Sequence, residues 1–419
     1  MIILFWLALP VLAASAQEGL IYHGVAVEPG GMNAWVATIE TVAVYHTPDF
    51  ARTWECQEVL TVRDFFDIHF IDSLRGWTCG RLGTIFGTSD GGASWAQQNL
   101  GGPKFATRIR FLDDTLGWAA SGEASLLKTT DGGAEWSWQI FPNPPFPVDT
   151  CDFQGVWFTD PQHGWLAGGR YPTGDTFTGG QGYIVRTHSG GDSWQVVRLD
   201  TVYDFYDVHF FDEDRGVVVG GDDSDMSAVV LLTTDAGENW SEASVPAEAK
   251  FLRGLKFVGE KGWACGRSGT VIHSSDGGMN WVLQRTRVDT TLFDIDFGDS
   301  MHGMIAGNSV VLFTTNGGRH WERGYGGVQE PRKLPALSGR RLVVIQSDNE
   351  VRFQVNGVTG MFFIRLFDAT GRQVALLFGS EQDTPSWDGR DAGSGPYFAV
   401  LSAGRHRETA RFVNIAAGQ

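Results

Sequence analysis

Asp67, His69, Arg108, Arg110, Trp157, Asp207, His209, Lys256, Asp294 and Asp296 are the residues of this 419-residue chain whose types and spacing suit ligand chemistry. They hold the first or third place of six tetrads, DIHF (67–70), RIRF (108–111), GVWF (155–158), DVHF (207–210), GLKF (254–257) and DIDF (294–297), with GVAV (24–27) as a weaker seventh copy. Alternate side chains of a strand share a face, so these ten point one way while Ile, Val and Phe point the other. If the seven strands surround one axis, the ten polar and aromatic groups line its channel or mouth. Mixed charges there suit a ligand or a basic peptide, or they neutralise one another as an ion-pair network.

A second set of carboxylates has a mechanical reading. Asp49, Asp90, Asp131, Asp235 and Asp276, with Ser189 and Asn316 in the same place, belong to seven copies of one phrase: TPDFARTW, TSDGGASW, TTDGGAEW, THSGGDSW, TTDAGENW, SSDGGMNW and TTNGGRHW. An Asp, Asn or Ser at this place folds back onto backbone N–H groups of its own turn. The glycine after it permits positive φ, the leading Thr or Ser adds a local bond, and the closing Trp packs on the sheet beside it. The first copy has Phe50 and Ala51 where the others carry their glycine positions, which marks a degenerate terminal repeat. Asp222, Asp223 and Asp225 form an acidic loop with hard-cation donors but without the spacing of a calcium loop. Cys56, Cys79, Cys151 and Cys265 make no CxxC or Cys/His cluster, and neither a metal nor a cofactor is expected.

The closing tryptophans are separated by 41, 41, 58, 46, 41 and 40 residues. A period near forty, with four short strands per unit and no helical periodicity, predicts an all-β fold: a seven-bladed β-propeller. Each blade is apolar on both faces, so the ring has to close. The long spacings mark insertions at 168–183 and 220–227, which become loops on one rim. After Trp321 the pattern stops. Residues 326–341 read as a Gly/Pro/basic linker, and strands such as VRFQV (351–355), FFIRLFD (362–368) and YFAVLSA (397–403) predict a small Ig-like β-sandwich over 342–419. Residues 1–16 read as a signal peptide: an apolar run at 2–14 ending in Ala14-Ser15-Ala16. The propeller is then expected over 17–325, with no transmembrane segment and a secreted, cell-surface or periplasmic location.

The Asp boxes resemble BNR repeats. Combined with the GW-x-x-G strand before each box, as in GWTCG (76–80) and GWACG (262–266), they are especially similar to photosystem II assembly/stability factor-like propellers. That resemblance implies a seven-bladed, non-enzymatic protein that helps assemble a membrane complex. The C-terminal stretches LFDATGRQV (366–374), SWDGRDAGSGPYFAVLSAG (386–404) and RFVNI (411–415) resemble the sorting domain of type IX secretion cargo and the Ig-like fold of hook-capping proteins, which implies the type IX machinery as a partner.

A net charge of −17 disfavours nucleic acid as a partner. A sialidase would need an arginine triad with a Tyr/Glu nucleophile pair, and a xyloglucanase a second propeller to build a cleft between two carboxylates. Neither pattern is found, so the chain is expected to be no enzyme but an exported scaffold that binds protein or glycan. A glycoside hydrolase of sialidase or xyloglucanase type and a structural cell-surface protein are the competing readings.

Overall fold

The structure, a computed structural model, describes residues 20–39, 43–59, 64–81, 84–98, 105–123, 125–141, 151–170, 181–222, 224–324, 342–347, 350–355, 362–367, 373–379, 385–387, 395–403 and 406–414. The expected signal peptide, the linker, most of the 168–183 insertion and Asp223 lie outside them. The chain divides into two compact units between Gln329 and Glu330. Among the described residues there is no α-helix, only a short 3-10 turn at Arg267–Gly269.

The first unit is a seven-bladed propeller. Its blades are four-stranded antiparallel meanders over residues 21–58, 65–97, 106–140, 151–199, 204–242, 252–284 and 292–323. Each is drawn from one continuous stretch, so no strand is exchanged to close the ring. The innermost strands are Ile21–Val27, Phe65–Phe70, Ala106–Phe111, Cys151–Phe158, Asp204–Phe210, Leu252–Val258 and Leu292–Phe297, and each touches the next around a full circle.

The apolar core lies between blades rather than within them. Seven clusters each join two neighbours. One joins Trp118 and Leu126 of blade 3 to Val156 and Phe158 of blade 4; another closes the ring from Met304 and Ala306 of blade 7 to Val25 and Trp54 of blade 1. A repeated clamp orders five of these interfaces. Trp35, Trp77, Trp118, Trp165 and Trp263 lie flat on Phe70, Phe111, Phe158, Phe210 and Phe297 of the following blade, with centroids 3.6–3.8 Å apart. Each indole N–H reaches an Asp-box carbonyl of that same blade: Gly91, Gly132, Gly190, Ala236 and Gly317. The box's own Trp meets the same Phe edge-on, as Trp136 does Phe111 at 89°. Blades 5 and 7 carry Val217 and Met304 at the clamp position. Closure from blade 7 to blade 1 adds hydrogen bonds to the apolar cluster: Val25 N–H to Asp294 Oδ2 at 2.9 Å, Val27 N–H to Asp296 Oδ2 at 2.7 Å and Gly30 N–H to the Gly298 carbonyl at 2.7 Å.

The Asp-box turns share one bonding scheme. Oxygens of Asp49, Asp90, Asp131, Ser189, Asp235, Asp276 and Asn316 accept the N–H four residues on, at 2.7–3.0 Å. Blade 1 keeps the scheme without glycine: Phe50 and Ala51 take φ of 54° and 67°, and Ala51 N–H still reaches Thr47 Oγ1 at 2.8 Å. Its burial explains the tolerance, since Phe50 packs edge-on against Phe313 and His302. Cys79 and Cys265 are buried in two different inter-blade clusters.

The second unit holds two antiparallel sheets. One contains Leu342–Ser347, Glu350–Val355 and Ser386–Trp387. The other runs in the order Gln373–Gly379, Phe362–Phe367, Gly395–Ala403, His406–Asn414. Leu342, Val351 and Phe353 of the first share an apolar cluster with Ile364, Leu366, Ala399 and Leu401 of the second.

Trp118→Ala removes a fully buried indole, its stack and its hydrogen bond, and is expected to cost roughly 3–5 kcal/mol in equilibrium denaturation. Ala51→Gly relieves left-handed strain of about 1–2 kcal/mol against a glycine entropy cost of about 0.5–1 kcal/mol. A small gain in stability is therefore expected, read as a rise in Tm; a loss would show that the strain is absent.

Candidate functional site

The inner strands do not alternate throughout. In six blades the pairing register skips one residue, as between Phe65 and Asp67, and in blade 3 Thr107 is likewise skipped. These are β-bulges, which re-aim side chains. The skipped residues are His23, Phe66, Thr107, Gln154, Tyr206, Arg253 and Phe293, all half-buried. Five of them touch in sequence around the axis. Arg253 lies over Tyr206 at 4.7 Å and Phe293 at 5.6 Å; His23 stacks on Phe293 at 4.7 Å and meets Phe66 at 5.5 Å. His23 Nδ1 also bonds the Phe66 carbonyl, and burial lowers its pKa to about 4, so it is neutral near pH 7. This aromatic ring with one cation is the first of three layers.

The second layer holds the first tetrad places: Gly24, Asp67, Arg108, Gly155, Asp207, Gly254 and Asp294. One guanidinium serves three carboxylates. Arg108 reaches Asp294 at 2.7 Å, Asp207 at 2.9 Å and Asp67 at 3.5 Å, from blade 3 to blades 7, 5 and 2. Each carboxylate also ties its blade to the next: Asp67 accepts from Ile109 N–H, Asp207 from Leu255 N–H and Asp294 from Val25 N–H, at 2.8–2.9 Å. Glycine is required before each of these acids, because a Cβ on Gly24, Gly155 or Gly254 would stand 2.7–3.0 Å from the Cα of Asp67, Asp207 or Asp294. Burial pushes Asp67 up to about 7 and Asp207 up to about 6, with Arg108 opposing. Burial also works against the Arg108 charge, but the three carboxylates outweigh it and hold the guanidinium well above its ordinary range.

The third layer holds Ala26, His69, Arg110, Trp157, His209, Lys256 and Asp296. Lys256 pairs with Asp296 at 2.5 Å, Arg110 lies 3.9 Å over Trp157, and Trp157 meets His209 at 4.1 Å. Burial, helped by Arg110 and Lys256, holds His69 and His209 well below the ordinary histidine range. Among the described residues no group of three or more His, Cys, Asp or Glu side chains suits a metal ion. Asp222 and Asp225 each accept an N–H of their own loop, from Ser224 and Ser227.

The family model described as photosynthesis system II assembly factor YCF48 matches residues 46–147 and 188–287, which contain five of the seven boxes whole and all but the first residue of a sixth. Those two stretches of the propeller are similar to that family. The chain is 32% identical over 137 residues to the photosystem II assembly lipoprotein Ycf48 of Synechococcus sp. (strain CC9902), covering 31% of this chain and 39% of that protein. It is 25% identical over 116 residues to the photosystem II stability/assembly factor HCF136 of Arabidopsis thaliana, covering 26% and 28%. The match thus spans well under half the length of these relatives, which are named as assembly and stability factors. Among solved structures, YCF48 bound to D1 peptide superposes with a TM-score of 0.56 at 17% identity, over 74% of this chain and 98% of that one. YCF48 from Cyanidioschyzon merolae does so with 0.53 at 16%, over 72% and 96%. These likenesses establish the seven-bladed all-β fold.

In the channel the ten residues picked out by alternation fall in the second and third layers. Asp67, Arg108, Asp207 and Asp294 meet in one network; Arg110, Trp157 and His209 form one stack, Lys256 and Asp296 one pair, and His69 bonds the Phe111 carbonyl at 3.2 Å. The first layer was missed, because strict alternation sends Phe66 and its equivalents into blade packing. A signal was present: the buried apolar residues of each inner strand are spaced three and then two apart, as in Phe65, Ile68, Phe70 or Phe205, Val208, Phe210.

Proton binding in the folded state sets the expected pH dependence. Asp67 and Asp207 have folded pKa values above the unfolded ones, so their stabilisation is lost as pH rises through about 6–7. His23, His69 and His209 are depressed, so their contribution is lost as pH falls below about 6.5. Below about pH 6.5 the two effects oppose each other, so Asp67→Asn, which removes the proton uptake of one carboxylate and leaves the histidines, is expected to steepen the fall of Tm between about pH 6.5 and 5. An Asp67→Asn variant whose Tm falls no more steeply than that of wild type over this range would show that Asp67 is ionised throughout.

Proposed function

We propose that this chain is an exported, non-catalytic scaffold that binds a polypeptide partner on the propeller face where the inner strands begin. The observation that carries the reading is the ring of bulged residues. Seven side chains, five of them aromatic or cationic and in mutual contact, stand half-buried where the inner strands begin. In an up-and-down blade, the connection from second to third strand leaves at the same end as the start of the inner strand. The strands that bracket the two insertions, Gly164–Arg170 with Tyr183–Thr187 and Gly216–Gly221 with Ala228–Thr233, are the second and third strands of their blades. Aromatic rings with an arginine are the usual anchors of protein recognition. A YCF48 propeller of the same fold has been solved with a peptide bound, and the sequence relatives are named assembly factors.

Beyond binding, the reading has residues 1–16 removed on export, a secreted or cell-surface location, and residues 342–419 as an Ig-like sorting or attachment domain. Two sheets sharing one apolar cluster, and the LFDATGRQV and SWDGRD stretches, support that part.

The test uses the mature chain from Gln17 as bait on envelope and culture-medium fractions of the host, followed by affinity measurement with the captured protein. Phe66→Ala/Tyr206→Ala/Phe293→Ala is expected to weaken binding at least about tenfold, as loss of anchor residues does. Unchanged affinity in that variant would remove the mouth from the interface. Hydrolysis of a glycan by the wild-type chain would overturn the non-catalytic reading.

A further inference from the structure

The third layer contains an unusual concentration of unmet hydrogen-bonding capacity. Arg110, Trp157 and His209 come from three consecutive blades and lie in one continuous stack. Arg110 Nε, Trp157 Nε1 and His209 Nδ1 are each buried without a hydrogen-bond partner. Buried polar atoms are satisfied in the great majority of cases, so three orphans in one stack ask for an explanation. The charges of the layer point the same way. Lys256 is neutralised by Asp296, whereas Arg110 has no carboxylate within salt-bridge distance among the described residues. Burial consequently lowers its pKa, with only the longer-range fields of Asp296, Asp207 and Asp67 supporting the cation.

We propose that this stack is an oxyanion site, in which the Arg110 guanidinium holds a phosphate, sulfate or carboxylate group and the Trp157 indole N–H and a His209 Nδ1–H are the further donors. A planar guanidinium laid on an indole offers its edge to such an anion, and hydrogen bonds between ionised partners are about twice as strong as neutral ones. The anion supplies the counter-charge that the layer lacks and acceptors for its orphan donors. Its depth is fixed as well. Two residues further along the inner strands, Asp67, Asp207 and Asp294 surround Arg108 and leave it no free charge, so an anion stops at Arg110. On the side away from the bulged residues the inner strands run on to the half-buried Ile71, Leu112, Phe211 and Val258. The site is thus separated by the carboxylate layer from the mouth that carries the partner-binding proposal.

Calorimetric titration of the full chain with sodium phosphate, sodium sulfate and sodium acetate, at constant ionic strength in chloride, tests this directly. Saturable binding with a Kd of roughly 1 mM or tighter is expected for at least one of them. The ranking distinguishes a tetrahedral oxyanion from a carboxylate. Arg110→Gln is expected to weaken it at least about tenfold, with circular dichroism confirming the fold. Trp157→Phe keeps the ring but deletes the N–H; it serves as the second variant should Arg110→Gln fail to fold, and a few-fold weakening is expected. The mouth variant Phe66→Ala/Tyr206→Ala/Phe293→Ala is expected to bind the anion as wild type does, so this site and the protein-binding face succeed or fail separately. Absence of saturable heat for all three anions, or full binding retained in Arg110→Gln or Trp157→Phe, overturns the proposal and leaves the orphan donors to water.

Discussion

A tryptophan of one blade lying flat on a phenylalanine of the next is the contact on which this propeller depends. A four-stranded sheet with apolar residues on both faces has no stable surface of its own, and here every apolar cluster of the ring is shared between two blades. The stack does more than bury area. Its indole N–H is tied to the Asp-box carbonyl of the neighbour, so the turn, the inner-strand Phe and the adjacent blade are registered by one side chain. The Asp box is in this sense a receptor for the previous blade's tryptophan. Its carboxylate holds the turn in shape, and the carbonyl thus presented is what the indole meets.

Where the clamp is missing, other chemistry replaces it. From blade 5 to blade 6 the position is Val217, and Phe257 meets His209 and Phe211 instead. From blade 7 to blade 1 it is Met304, and the inner-strand acids Asp294 and Asp296 bind backbone N–H groups of blade 1. The ring therefore closes by an apolar cluster together with polar bonds across its terminal interface, and not by exchange of a strand. The same carboxylates line the channel, so closure and channel chemistry are one arrangement.

The fold was legible because its determinants are local. Period, turn residues and the GW strand each act within a few residues, and the seven Asp-box turns follow from Asp and Gly chemistry alone. The first turn is instructive: Phe50 and Ala51 break the glycine pattern, yet burial of Phe50 keeps the turn in the same conformation. The second and third channel layers were legible through strand alternation. Two things were not. The bulge shifts Phe66, Tyr206 and their equivalents from the packing face to the mouth, and only the three-then-two apolar spacing announces it. The partners of Arg108 are set by closure of the ring: Asp207 and Asp294 lie 99 and 186 residues away in sequence, and nothing in the strand RIRF says which blades it faces.

The charge of the protein and the charge of its channel are separate matters. Arg253, Arg108, Arg110 and Lys256 stand against Asp67, Asp207, Asp294 and Asp296, four cations to four carboxylates, so the net −17 of the chain is carried elsewhere. The outer field favours approach of basic partners and acts on association rates, but it carries little information about which partner docks. Discrimination falls to short-range features that vary by blade. The bulge positions contribute to neither the clamp nor the Asp box, although Thr107 Oγ1 donates to the Phe153 carbonyl of the next blade. A scaffold whose stability rests on inter-blade tryptophans and turn hydrogen bonds can thus accommodate different residues at the bulged positions, with the Arg108–carboxylate network beneath them tying blades 2, 3, 5 and 7.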